Sequence, residues 1–224
     1  RETLDIDSYI SRLWYPQKAV PVVYAQGTSF CSVVQYTRDD SIFSCLLPFP
    51  FFCDDTKPRI DVLNRGLDGN VNGSLNQGRL KAFIPNPVDE PAKIKVAGLQ
   101  RFTQRTNYWV VAAGTYDEVL NNTTNSSSSS SSRSSSTTKY QQEEEVYEWA
   151  LIAGGSAFRE TENGKCLPGF GVYDSRGLWI FARDPFPPEG VVEAVTTMAD
   201  DMGLDTSAFL TVVHEGCTYD FLDS

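Results

Sequence analysis

Between Gly177 and Gly216 the chain reads as strand, proline break, one amphipathic helix and strand, whereas nearly everything before it reads as short strands and turns. A lone late helix of this kind must dock on something apolar, and a chain of strands offers a sheet or a barrel wall. Val191, Val195, Met198 and Met202 recur at i, i+4, i+7 and i+11 and form its stripe. Pro187 and Pro188 suit the first turn. Glu189 and Glu193 put negative charge at the positive end of the dipole, and Gly203 suits the left-handed position after the last turn. Asp200 and Asp201 oppose the dipole at the other end, so docking has to stabilise this helix.

Upstream, Leu4 to Leu13 is a mixed segment with room for one helical turn, and Trp14 to Val23 reads as a first strand. Phe30 to Thr37 follows, rich in β-branched and aromatic residues, then Ile60 to Leu63 beyond a Pro- and Phe-rich stretch from Cys45 to Cys53. Arg79 to Ile84 and Lys93 to Val96 alternate polar with apolar, so each has one wet and one dry face. Tyr108 to Ala113, Trp149 to Ala153 and Leu178 to Ala182 are apolar on both faces and belong to the most covered part of the sheet. From Val119 to Gln142 the pattern dissolves into Asn, Thr and a serine run, which reads as a low-complexity hairpin insertion. The total is about eight antiparallel strands in one domain spanning 1–224, with the helix before the last of them. An up-and-down barrel closes such a sheet without an exposed edge.

Composition narrows the function. A net charge of −10 without a Lys/Arg cluster argues against nucleic acid as a partner, and no window approaches the roughly 20 apolar residues needed to cross a bilayer as a helix. The five cysteines, Cys31, Cys45, Cys53, Cys166 and Cys217, contain no CxxC pair, and His214 is the single histidine, so no metal site is expected. Disulfides in an oxidising compartment are the expected use of these thiols. Sequons at Asn72, Asn121, Asn122 and Asn125 add weak support for a secretory route.

Three segments carry a family resemblance. Arg12-Leu13-Trp14-Tyr15, Thr106-Asn107-Tyr108, and Arg183 closing Leu178 to Arg183 resemble, in order and spacing, the three motifs of the lipocalins. Val62 to Gly66, Tyr108 to Ala112, Tyr147 to Ile152 and the final helix and strand are similar to the apolipoprotein D and bacterial-lipocalin branch. The pattern departs from the family at Arg12, where Gly is usual, and at Asn107, where Asp is usual. The first substitution is expected to loosen the turn into the first strand, and the second to remove a charge from the closed end.

The resemblance implies an eight-stranded antiparallel barrel with one C-terminal helix packed outside it. It implies that Trp14 and Arg183 meet at the floor as a structural cation–π pair, and that Cys31 joins Cys217. Cys45, Cys53 and Cys166 keep several pairings open. It places ligand-lining residues at Tyr36, Asn64, Tyr108, Trp179 and Phe181, near the opposite, open end. Aromatic walls there supply apolar area, and a tyrosine hydroxyl or the Asn64 amide can orient a polar end. The expected function is to bind and carry or sequester a small hydrophobic molecule: a fatty acid, lipid, retinoid or carotenoid. No cofactor is required, although a bound lipid or pigment is expected, and no catalytic residue is assigned. Two other classes stay open. One is a xanthophyll-modifying enzyme, since violaxanthin de-epoxidase is similar to lipocalins. The other is an accessory subunit docked on a membrane protein complex through the Cys45 to Cys53 loop. The expected setting is extracytoplasmic, either secreted or an organelle lumen such as that of the thylakoid.

Overall fold

The structure, a computed structural model, describes residues 3–21, 29–39, 58–98, 106–125, 147–169 and 177–222. The Cys45 to Cys53 stretch and the serine run lie outside the described residues. A short helix α1 (Ile6–Ile10) leads into β1 (Tyr15–Ala19), β2 (Phe30–Arg38), β3 (Arg59–Leu67), β4 (Leu75–Phe83), β5 (Lys93–Gly98) and β6 (Thr106–Gly114). Helix α2 (Tyr116–Asn125), β7 (Trp149–Ala153), a hairpin of β8 (Ala157–Glu160) and β9 (Cys166–Pro168), β10 (Leu178–Ala182), helix α3 (Val191–Asp201) and β11 (Leu210–Thr211) complete the order.

The main sheet runs β11-β1-β10-β7-β6-β5-β4-β3-β2, antiparallel throughout. It curls until its ends meet. At one end Trp14 and Val34 exchange backbone hydrogen bonds of 2.9 and 2.8 Å. At the other, β11 pairs with Lys18 and Ala19 of β1, and Val213 bridges to Phe30 of β2. The sequence count therefore needs one amendment. Eight strands, β1 to β7 and β10, form the wall before the last helix. The piece after that helix is a short wedge filling the gap between β1 and β2.

Alternation along β7 and β10 serves two cores. Ala150, Ile152 and Phe181 face the barrel interior with Val34, Ile60, Ile94 and Val96. Trp149, Leu151, Leu178 and Ile180 face outward beneath α3, against Val191, Ala194, Val195 and Ala199. Both strands are covered on both sides, as their composition demands. β6 is covered less: Val111 points outward and is 41% exposed.

The helix stripe docks as its spacing requires, except at its end. Val191 and Val195 are buried, but the helix stops at Asp201, and Met202 is its exposed cap. Pro187 and Pro188 lie ahead of the first turn, because Gly190 (φ +86) is the N-cap. Gly203 takes the left-handed position at φ +81. Asp200, adverse to the dipole, pairs with Lys165 of the loop before β9.

Two elements went unread in the sequence. The tract assigned from Val119 onward begins inside α2, whose start is a reciprocal capping box. Thr115 N–H donates to Glu118 Oε2 (2.8 Å) and Glu118 N–H to Thr115 Oγ1 (3.3 Å). Val119 is then buried with the core under α3. The β8–β9 hairpin lies around Cys166, between Ala153 and Leu178, where the sequence pattern assigns no strand.

Candidate functional site

The closed end is organised around Arg183. Its guanidinium lies 3.7 Å from the centre of the Trp14 ring. Its five N–H groups make five hydrogen bonds to backbone carbonyls: Nε to Tyr147, Nη1 to Arg12 and Leu13, Nη2 to Ser8 and Tyr9. Burial and the nearby Arg12 charge lower its pKa to about 10. The turn lends Arg183 the Arg12 carbonyl, a backbone contact that does not depend on the side chain at that position. Asn107 keeps a polar role without the charge, accepting from Lys95 Nζ while its amide lies over Gly155.

Helix α1 forms the barrel floor. Asp5 caps it by accepting from the N–H groups of Asp7 and Ser8, Asp5 N–H donates to Tyr147 Oη (3.0 Å), and Trp14 Nε1 donates to the Tyr9 carbonyl (2.8 Å). Its buried side chains, Tyr9 and Ile10, point into the barrel. The signal for this was present, since Ile6, Tyr9 and Ile10 stand at i, i+3 and i+4, but five residues are too few to read with assurance as a helix.

Above the floor is a cavity of about 180 Å³. All five positions assigned from the resemblance line it: Tyr36 on β2, Asn64 on β3, Tyr108 on β6, Trp179 and Phe181 on β10. Tyr9, Leu80, Val62 and, from the C-terminal wedge, Leu210 and Val212 complete much of the wall. The five do not all sit toward the open end. Phe181 packs on Trp14 with ring centres 6.4 Å apart, and Tyr36 packs on Tyr9 at 5.8 Å. Tyr108 links the levels: its ring stacks on Trp179 (6.4 Å, 24°), and its hydroxyl reaches those of Tyr9 (2.8 Å) and Tyr36 (2.7 Å). Burial pushes all three hydroxyls above the ordinary phenol range, so the cluster is neutral at physiological pH. Asn64 is paired in the sheet through its backbone, and its side-chain amide, which makes no hydrogen bond among the described residues, borders the cavity.

The tail is pinned where the resemblance required. Cys31 and Cys217 form a disulfide with Cα atoms 5.6 Å apart, and Cys31 N–H donates to the Val213 carbonyl (2.8 Å). Cys166 is a free thiol. His214 is buried in this lock. Nε2 donates to the Pro16 carbonyl (2.7 Å), which leaves Nδ1 to accept from Tyr219 Oη (2.5 Å) in the neutral ring. No group of three or more His, Cys, Asp or Glu side chains among the described residues could hold a metal.

The same arrangement of strands recurs in solved structures. The chain superposes on lobster apocrustacyanin A1 (TM-score 0.53, 16% identity, 97% of this chain and 84% of that one). It also matches apocrustacyanin C2 (0.54, 15%, 98% and 86%) and apocrustacyanin C1 (0.52, 15%, 98% and 85%). The fold is that of the lipocalins. No protein-family model and no curated protein matches the sequence. The lipocalin barrel thus accounts for the floor pair, the outer helix and the pinned tail in one arrangement, with the cavity at its centre.

Proposed function

We propose that this lipocalin-fold protein binds a small hydrophobic molecule in its barrel and carries or sequesters it. The cavity of about 180 Å³ carries this reading. Protein cores leave few voids larger than a water molecule, so a partly open cavity of this size with aromatic walls and a few polar groups has the character of a ligand site. Binding would be driven by apolar ligand area leaving water, at about 25 cal/mol per Å². The volume bounds what is enclosed. An empty apolar cavity of roughly 150 Å³ accommodates benzene, so a ring or short acyl segment fits inside, and a longer lipid, retinoid or carotenoid would extend through the mouth. The described lining residues include no carboxylate, histidine or thiol, and burial keeps the three lining tyrosines, Tyr9, Tyr36 and Tyr108, protonated and poor bases, which favours binding over acid–base turnover of a xanthophyll.

The Cys31–Cys217 disulfide supports an extracytoplasmic setting, secreted or in an organelle lumen. The same pairing supports a likeness to the apolipoprotein D and bacterial-lipocalin branch. Titration with Nile red, followed by its fluorescence, tests the pocket. Trp179→Ala is expected to weaken binding about tenfold, the worth of one partly buried aromatic wall, with an unchanged circular dichroism spectrum. Unaltered affinity in the folded variant would refute the assignment.

A further inference from the structure

Resting on the extracytoplasmic setting proposed above, we infer that Asn72 carries an N-linked glycan, attached as the chain passes along a secretory route. The sequon Asn72-Gly73-Ser74 forms the tip of the β3–β4 hairpin, whose strands pair from Arg59 and Phe83 to Leu67 and Leu75. Arg38, the last residue of β2, pairs with Asp7 of the floor helix. Phe30, the first, stands opposite Leu67, so the tip lies at the open end of the barrel. The fold holds it there. Asp68 N–H donates to the Ser74 carbonyl (3.0 Å), Gly73 N–H to the Asn70 carbonyl (2.9 Å) and Asn72 N–H to Asn70 Oδ1 (2.8 Å), a β-turn braced by a side-chain carbonyl. A Cβ at Gly73 would stand 1.8 Å from the Asp68 carbonyl oxygen, so the residue between Asn72 and Ser74 is confined to glycine.

Exposure and compartment give the triplet its meaning. Asn72 and Ser74 are both exposed, and the side-chain amide of Asn72 makes no hydrogen bond among the described residues, so a glycan there displaces no contact of the fold. Neither residue lines the cavity. The Cys31–Cys217 disulfide is an independent feature suited to the same oxidising route in which surface sequons are modified. The other sequons are less well presented. Asn121 and Asn122 lie in α2, where positions two apart fall on different faces, and the triplet at Asn125 runs beyond the described residues. In the transfer, the Asn72 amide nitrogen bonds to the anomeric carbon of a lipid-diphosphate-linked oligosaccharide. The bond from that carbon to the diphosphate breaks, the lipid diphosphate leaves, and one amide proton passes to a base. The hydrated glycan then stands close to Leu75, which is 43% exposed, and to the tail at Gly216, beside which Val71 packs.

Glycopeptide mass spectrometry of the protein isolated from its natural source tests this, together with mapping of its disulfide-linked peptides. Detecting the intact glycopeptide keeps spontaneous deamidation of the Asn72-Gly73 pair from mimicking an enzymatically released site. The peptide holding Asn72 is expected mainly in its glycosylated form, with Cys31 and Cys217 linked. Made through a eukaryotic secretory pathway, the Asn72→Gln and Ser74→Ala variants should each lose one glycan, read as the same mobility shift. Ser74→Ala leaves the asparagine in place, so the loss there assigns the glycan to the sequon. Both variants should bind Nile red within about twofold of the unaltered chain, as surface positions outside the cavity. Bare Asn72 beside an intact Cys31–Cys217 link would overturn the glycan while leaving the oxidising setting standing. Bare Asn72 with both thiols free would overturn the setting beneath it as well. A mobility unchanged by either variant would assign any glycan elsewhere and overturn the proposal.

Discussion

Arg183 illustrates how one side chain can define a barrel end. Its planar fork satisfies four carbonyls of the α1 to β1 segment and one of Tyr147 while its face covers Trp14. A lysine retains the charge but neither the fork nor the stacking plane. Arg183→Lys should therefore destabilise the fold by about 2–4 kcal/mol through orphaned buried acceptors, measured as a lower urea midpoint; a loss below about 0.5 kcal/mol would contradict this. The pairing of Trp14 with Arg183 could be read from motif order, because a motif names both partners. Tyr9 could not, because its importance comes from two hydroxyls on β2 and β6 that only the curled sheet brings to it. Likewise, alternation shows which side chains of β3 to β5 point inward, but whether they meet or leave a space depends on packing across many strands.

At the scale of elements, the C-terminal segment performs more than its short strand suggests. It fills the wall between β1 and β2, lines the cavity with Leu210 and Val212, and is held by the disulfide and by His214. Cys31 and Cys217 stand 186 residues apart, and in the chain-entropy model closing so long a loop stabilises by about 5 kcal/mol. The Cys31→Ser, Cys217→Ser double variant should lose a large part of that in chemical unfolding and bind ligand more weakly; unchanged stability and affinity would show that the tail needs no link. Acidification should loosen the same lock. Burial holds the His214 pKa below its ordinary value, so the unfolded chain takes up the proton first. Stability is then full above about pH 6.5 and falls as pH drops toward the folded value, by up to about 1.4 kcal/mol per pH unit. Since the chain has one histidine, His214→Gln should flatten the slope between about pH 6.5 and 5, and an equal slope in the variant would assign it elsewhere. The long strands and α3 were legible because their periods persist over many residues. α2 was hidden because its capping box leads into an Asn- and Thr-rich sequence, and the β8–β9 hairpin because strands of four and three residues are too short to show a period.

Among the described residues, the strands form a wall, α1 closes the floor, α3 covers the outside, and the tail seals the seam beside the cavity. A formal charge of −10 opposes self-association, and under the proposed function hydrophobic burial, not charge, is the attraction for a ligand. Barrel and helix followed from patterning, and the five lining positions from resemblance. The size of the cavity did not follow from either, since it is the small remainder after large side chains have packed. Native mass spectrometry of the chain equilibrated with a neutral-lipid extract tests the central claim most directly. The account predicts a single saturating adduct of one small hydrophobic molecule per chain, released when the barrel is unfolded. A spectrum containing only the bare chain, or a non-saturating ladder of adducts, would contradict it.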